Sequence, residues 1–313
     1  VMAVLPRSAP APRLLWSLDQ GGWVALAFED VDGVHPSLPW QAGELRRVLA
    51  MLTDMARVLT PAPAGMPRIG DRLQDAFKGW RRLAAADAAD ELASLDPWVV
   101  RHLDRLADLE AGWPGATEGP TLLHSDLRAD NLLLTPTRVV AVDWPWACVG
   151  AAWVDLLLLL PSVTMQGGPD PEATFAAHPL AAGADPEAVT TALAAWTGYL
   201  VEGSRQPPPP GLPTLRAFQL GQGVVALEWL RLRTGWDCSR ARASAAAWGR
   251  AWRRGRPNFS SRGAGPSTPV ASSRSPSNHP VLTNRSRSGG GPGSVDQRMR
   301  TGRPIPMRGE SGS

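Results

Sequence analysis

His124-Ser125-Asp126-Leu127-Arg128-Ala129-Asp130-Asn131 puts an imidazole, carboxylates, a guanidinium and an amide into eight consecutive residues, and Asp143 follows twelve residues after Asn131 at the end of an apolar run. The form is HxDxxxxN with a later strand-end Asp. Phosphoryl transfer suits such a set. It asks for a carboxylate that orients an acceptor hydroxyl and takes its proton, and for oxygen ligands that hold magnesium against nucleotide phosphates. Asp126 fits the first role, and Asn131 and Asp143 the second. Arg128 stands where it could reach a transferring phosphate and neutralise developing charge, or pair with a nearby acid. Chance would place His, Asp and Asn at these offsets in about one chain in 100 of this length. Two other readings use the same residues. One is a polar turn between strands closed by a capping Asp. The other is a metal-dependent hydrolase built on His124, Asp126 and Asp143, with no need of nucleotide.

Such a loop needs strands to hold it. Thr121-Leu122-Leu123, Leu132-Leu133-Leu134 and Val139-Val140-Ala141-Val142 read as short strands around the polar segment, the last delivering Asp143. Upstream, residues 13–17 and 23–28 are apolar runs separated by Asp19-Gln20-Gly21-Gly22, which predicts a β-hairpin. Leu45, Val48, Leu49, Leu52, Met55 and Leu59 recur at helical spacing, and Pro61 and Pro63 stop that helix. Further helices are predicted over about 70–84, 97–112, 152–163, 185–202, 213–235 and 237–252, with Pro207–Pro210 as a stiff connection.

The loop, the strand-end Asp and their flanks resemble the aminoglycoside phosphotransferase family, relatives of the protein kinases. The resemblance implies an α+β, protein-kinase-like fold with a partial N-terminal β lobe and a mainly helical C-terminal lobe. It makes Asp126 the catalytic Asp, Asn131 and Asp143 the magnesium ligands, and Arg128 the occupant of a place where protein kinases commonly have a phosphate-contacting lysine. Phe28, Glu29, Asp30 and Val31 resemble the hinge whose backbone meets adenine. Gly150 to Asp155 resembles the turn and helix-start Asp that brace the loop, with His124 as structural support. The family also places a Gly-rich loop, a lysine-bearing strand and a helix with that lysine's Glu partner ahead of the hairpin. Here about a dozen residues precede it, and the single lysine, Lys78, lies beyond the hinge in a stretch read as helical and solvated. The expectation is a nucleotide lobe lacking part of its site, the gene's start lying upstream.

Charge divides the chain. From Arg253 onward there are 11 Arg against Asp296 and Glu310, a net +9, so residues 1–252 carry −6 of the overall +3. The basicity belongs to a Ser-, Gly-, Pro- and Arg-rich tail, residues 253–313, which is read as disordered and as an extension without a nucleic-acid-binding role. Two cysteines with no CxxC or His-pair spacing argue against a disulfide framework or zinc site. Neither a signal peptide nor an apolar run of about 20 residues is present, so a cytoplasmic protein with no membrane partner is expected.

The sequence therefore divides into residues 1–33, a remnant of the nucleotide lobe with its hinge, residues 34–252, the helical catalytic and acceptor lobe, and the tail. The expected activity is transfer of the γ-phosphoryl of ATP, or GTP, to a hydroxyl of a small molecule such as an aminoglycoside, with Mg2+. The acidic body favours a cationic acceptor. A kinase-like binding module that transfers no phosphate is the alternative, favoured by the missing lysine strand.

Overall fold

The structure is a computed structural model that describes residues 1–86 and 94–236, together with the backbone of Val281–Leu282. The helix expected over 237–252 and the tail lie outside the described residues, except for those two positions.

Strands β1 (Leu14–Gln20) and β2 (Trp23–Phe28) form the expected antiparallel hairpin, with β1 two residues longer than its sequence pattern. Gly21 and Gly22 make the turn at φ +61° and +80°, a pair of left-handed conformations that glycine adopts without steric cost. Val281–Leu282 pairs with β2 in parallel.

Helix α1 (Ala42–Val58) buries Leu45, Val48, Leu52 and Met55 of the stripe that its spacing predicts, adds Met51, and leaves Leu49 half-buried. The expected helix over 70–84 is instead two short ones, α2 (Ile69–Arg72) and α3 (Gly79–Ala84). The break has a long-range cause. The fully buried Glu110 carboxylate accepts from the Trp80 N–H at 3.0 Å, the Arg81 N–H at 3.1 Å and Arg81 Nε at 3.0 Å. Those amides have no partner one turn earlier, so a helix starts there.

Glu110 belongs to α4 (Pro97–Ala111), after which the single turn α5 (Trp113–Ala116) follows. Then come β3 (Thr121–Leu123), β4 (Leu132–Leu134), β5 (Val139–Ala141) and β6 (Cys148–Gly150). They pair as two antiparallel ribbons, β3 with β6 and β4 with β5. The pairing of Cys148–Gly150 with β3 is absent from the sequence reading, which places Gly150 in a turn.

The rest is helical: α6 (Val154–Met165), α7 (Pro171–Ala177), α8 (Pro186–Ser204) and α9 (Leu215–Thr234). Helices α4, α7 and α8 begin alike. Asp96, Asp170 and Asp185 each accept from a backbone N–H of the first turn, and proline follows each at a position with no donor to lose. Residues 154–163 of α6 are buried all round, so this helix is the spine of the lobe. Helix α8 packs on α3, α4, α5, α6 and α9. Its crossing with α3 is so close that a Cβ on Gly79 would lie 2.0 Å from the Gly198 carbonyl oxygen. No helix among the described residues is long and apolar enough to cross a membrane.

Candidate active site

The HxDxxxxN loop leaves β3 and enters β4 through a single 3-10 turn at Ala129–Asn131. Asp155, in the first turn of α6, holds the start of this loop. Its two carboxylate oxygens accept from the His124 and Ser125 amides, each at 2.8 Å. Ser125 sits at φ +64°, an unfavourable region for a serine that those bonds stabilise. Burial pushes the Asp155 carboxyl up to about 6, against the lowering effect of its two amide donors.

His124 ties the loop to the next strand. Its ring is fully buried, 4.7 Å from the ring of Trp144. Nδ1 lies 3.3 Å from the Asp126 amide and accepts from it, which leaves Nε2 to carry the proton and donate to the Val142 carbonyl at 2.9 Å. Burial depresses the imidazole to about 4, so it is neutral near pH 7. With both nitrogens committed to backbone, His124 has no lone pair for a metal, and the hydrolase reading loses its ligand.

Asp126 follows. Arg128 reaches its carboxylate at 2.8 Å and also forks onto Asp130 at 3.0 and 2.9 Å. Asp130, read from sequence as a solvated side chain, is thus half of an ion pair. Arg128 thus pairs with acids, one of the two roles open to it in the sequence, and this pairing leaves the other, contact with a phosphate, open. Burial raises the Asp126 carboxyl to about 6, Arg128 opposing and the charges of Asp130 and Asp143 reinforcing the rise.

Asn131 donates from Nδ2 to the Asp126 carbonyl at 2.7 Å, while its own carbonyl accepts from the Val142 amide at 2.9 Å. That second bond extends the β4–β5 pairing by one step and sets Asn131 opposite the residue before Asp143. Asp143 stands exposed at φ +67° and makes no hydrogen bond or ion pair among the described residues. Partial burial, opposed by Arg128 and reinforced by Asp130, raises its carboxyl. Three carboxylates therefore share one guanidinium, with one carboxylate and one amide oxygen uncommitted. These are hard oxygen donors of the kind magnesium accepts. No group of three His, Cys, Asp or Glu side chains among the described residues converges as a cage, so a cation here would take its other ligands from phosphate and water, as magnesium commonly does.

Among the described residues, the hinge residues make no hydrogen bond or ion pair to the loop. They are clamped to the β4–β5 ribbon beneath it. Glu29 accepts from Arg138 at 2.8 Å and from the Arg13 amide at 3.1 Å, which lowers its carboxyl, and its own N–H donates to the Arg13 carbonyl at 2.9 Å. Val34 exchanges two backbone bonds with Leu134, and His35 Nδ1 meets the Leu132 carbonyl at 2.9 Å. Phe28 ends β2 in register with Leu14. Asp30 and Val31 form no backbone hydrogen bond among the described residues. Lys78 stands apart, at the start of α3, paired with Asp75 at 2.9 Å.

Beside Asp126 a small cavity of about 50 Å³ opens between the loop, α6, α8 and α9, lined in part by Trp196, Tyr199, Phe218, Gln219 and Gln222. None of these helix residues was legible as a site residue. The only signal was glutamine at 219 and 222, spaced three apart on one side of an apolar helix.

The model for APH, the phosphotransferase enzyme family, matches residues 1–191. No curated protein matches the chain. Among solved structures, an ethanolamine kinase from Plasmodium vivax is 14% identical, covering 74% of this chain and 71% of its own, with a TM-score of 0.47. A choline/ethanolamine kinase family protein from Mesorhizobium loti is 14% identical with coverages of 81% and 78% and a TM-score of 0.43. A choline kinase from Cryptosporidium parvum is 12% identical with coverages of 76% and 77% and a TM-score of 0.44.

Proposed function

The chain belongs to the phosphotransferase enzyme family, and from that premise we propose that it moves the γ-phosphoryl of ATP or GTP to a hydroxyl of a small acceptor, with Asp126 as the catalytic base. The observation that carries this reading is the placement of Asp126. Its carboxylate sits at the mouth of the acceptor cavity, beside Asn131 and Asp143, on a loop fixed at both ends by backbone bonds.

In this reading the acceptor hydroxyl donates to Asp126, which aligns an oxygen lone pair on the γ-phosphorus and takes the proton as the new P–O bond forms. The Asp126 carboxyl, raised by burial, is basic enough to accept that proton and is still ionised near pH 7. Arg128 holds the carboxylate in place at 2.8 Å and brings positive charge to where phosphate charge develops. Asn131 and Asp143 would hold magnesium, which supplies charge neutralisation for the nucleotide phosphates when bound. Their oxygens are uncommitted, and Asn131 is kept in orientation by its bond to the Asp126 carbonyl. The Glu29 carbonyl and the backbone groups of Asp30 and Val31 are those left to meet a purine, since the Glu29 N–H is spent on Arg13.

The alternative is a module that binds nucleotide without transferring it. It is favoured by Lys78, the single lysine, which stands away from the loop in a pair with Asp75. One assay separates the two: ATP consumption with magnesium and a panel of alcohols, for the protein and for Asp126→Ala. Turnover abolished by Asp126→Ala supports transfer. Magnesium-dependent nucleotide binding by calorimetry with no turnover on any alcohol supports the module, and turnover unchanged in Asp126→Ala refutes the base.

A further inference from the structure

The β4–β5 ribbon carries the two oxygen donors assigned to magnesium at one end and grips the hinge at the other. Asn131 immediately precedes β4 and Asp143 follows β5 by two residues. The Asn131 carbonyl accepts from the Val142 amide at 2.9 Å, so both donors leave the same end of the ribbon. At the opposite end, residues 135–138 close a turn. The Thr135 amide and hydroxyl donate to the Arg138 carbonyl at 2.9 and 3.0 Å, and the Arg138 amide donates to Thr135 Oγ1 at 3.0 Å. Arg47 of α1 reaches the carbonyls of both Thr135 and Arg138, which pins the turn to the helical lobe.

From this fixed turn the Arg138 guanidinium donates to Glu29 Oε1 at 2.8 Å. The same oxygen accepts from the Arg13 amide at 3.1 Å, so one carboxylate joins the hairpin, the hinge and the ribbon. Arg138 and the Arg13 amide hold the Glu29 carboxyl below its ordinary range, which keeps it charged near pH 7. Further along, Val34 exchanges backbone bonds with Leu134 at 3.0 and 2.7 Å. Residues 30–33 are therefore suspended between two attachments to one ribbon. The far attachment has little slack, since a Cβ on Gly33 would lie 3.2 Å from Leu133 Cβ and 3.3 Å from the Leu134 carbonyl oxygen.

Holding the fold together is a poor explanation for the Arg138–Glu29 pair. Its side chains are 47% and 24% exposed, and pairs this open to solvent add little stability. Val34 and His35 keep the hinge on the ribbon without it. What the pair fixes is where Glu29, the near end of the suspended segment, stands relative to a ribbon whose three-residue strands span about 10 Å. A nucleotide would meet both ends of that ribbon, its base at the segment and its phosphates at Asn131 and Asp143. Two contacts made by one ligand reinforce each other only when their geometry allows both at once.

We propose that Arg138 is a positioning residue for nucleotide binding: acting through Glu29, it sets the purine-facing hinge at the spacing from the magnesium donors that lets base and phosphates engage together. This rests on the reading of the hinge, Asn131 and Asp143 as a nucleotide site. Arg138 itself touches no substrate.

The test uses the full chain and three probes. ATP with magnesium spans both ends, adenosine reaches the hinge alone, and tripolyphosphate with magnesium reaches the donors alone. Calorimetry measures the first and ligand-observed NMR the other two. Arg138→Ala should weaken ATP about tenfold in the parent and have no further effect in a Glu29→Ala background. Adenosine and tripolyphosphate should stay within about twofold of the parent in Arg138→Ala, which a merely misshapen site would not allow. Arg138→Lys should recover most of the ATP affinity, and Tm in Arg138→Ala should fall by no more than about 4 °C. ATP binding unchanged in Arg138→Ala, a further loss in the Glu29→Ala background, or a loss for either fragment as large as that for ATP overturns the inference. If thermal melts show that Arg138→Ala does not fold, Arg138→Gln, which keeps most of the stem and removes the charge, takes its place in every comparison. A parent that binds neither ATP nor adenosine refutes the nucleotide reading itself, whereas equal ATP binding by the parent and Arg138→Ala refutes only the positioning role.

Discussion

Asp126→Asn should stabilise the fold at the same time as it abolishes turnover. The Asp126 carboxyl is raised from the ordinary carboxylate value of 3.8 to about 6 by burial, which Arg128 opposes and the Asp130 and Asp143 charges reinforce. The folded protein therefore holds this proton more tightly than the unfolded chain does. The associated stability is complete below about pH 4 and is lost as the pH rises through 6. A shift of about two units at roughly 1.4 kcal/mol each comes to about 3 kcal/mol at pH 8. The side chain is only 24% exposed, so solvent screening takes little of that away. Asparagine keeps the shape, never ionises, and leaves Arg128 its pair with Asp130. For a chain of this size, 3 kcal/mol corresponds to a rise in Tm of about 6–10 °C. The assay is thermal and urea unfolding of both proteins at pH 4, 6 and 8, with chelator present and nucleotide absent. The gap should be near zero at pH 4 and widen with pH. If Asp126→Asn is no more stable than the parent at pH 8, or the gap does not depend on pH, the carboxylate is not strained and this reasoning fails. A residue whose ionised form costs stability yet is needed for reaction is the expected trade at a working site.

Asp155→Ala leaves the buried His124 and Ser125 amides without acceptors and should cost about 2 kcal/mol or more in urea unfolding at pH 7, with a fall in kcat as the loop relaxes. Asp143→Ala should do the reverse. Its carboxylate bonds to nothing in the fold, so Tm should fall only by the few degrees that alanine at φ +67° costs, while the magnesium concentration for half-maximal turnover rises about tenfold or more. Gly79→Ala should destabilise by about 3 kcal/mol, because the new methyl would meet the Gly198 carbonyl at 2.0 Å and must push α3 and α8 apart. An alanine variant that melts with the parent would mean that these helices do not cross as closely as described.

The parts of this molecule that could be read in the sequence are those whose cause is local. Gly21-Gly22 supplies its own left-handed turn, the α1 stripe lies on one helix, and the HxDxxxxN loop keeps carboxylate, guanidinium and amide within six residues. What could not be read depends on partners far along the chain. The break between α2 and α3 is imposed by Glu110, about thirty residues away, and nothing in residues 73–78 announces it. Likewise β6 exists because Cys148–Gly150 finds β3, although a glycine at its end suggests a turn. Helix α7 is a different case. Its Asp170-Pro171 start is the same signal as Asp96-Pro97 and Asp185-Pro186, but seven residues carry too short an apolar pattern to be recognised by period.

The same distinction separates chemistry from specificity in the site. Asp126, Arg128 and Asn131 form a unit because one loop carries them, and Asp155 and His124 stabilise that unit through backbone groups alone, so it can be set before any acceptor is defined. The acceptor walls come from α8 and α9, about 70 to 95 residues further on, and none of their side chains is distinctive alone. Gln222 in isolation is a polar residue on a helix. It joins a site only when α9 packs on α8 and sets it in the wall of the cavity beside Asp126. A reaction class can thus be read from eight consecutive residues, whereas the acceptor walls exist only once distant helices have packed.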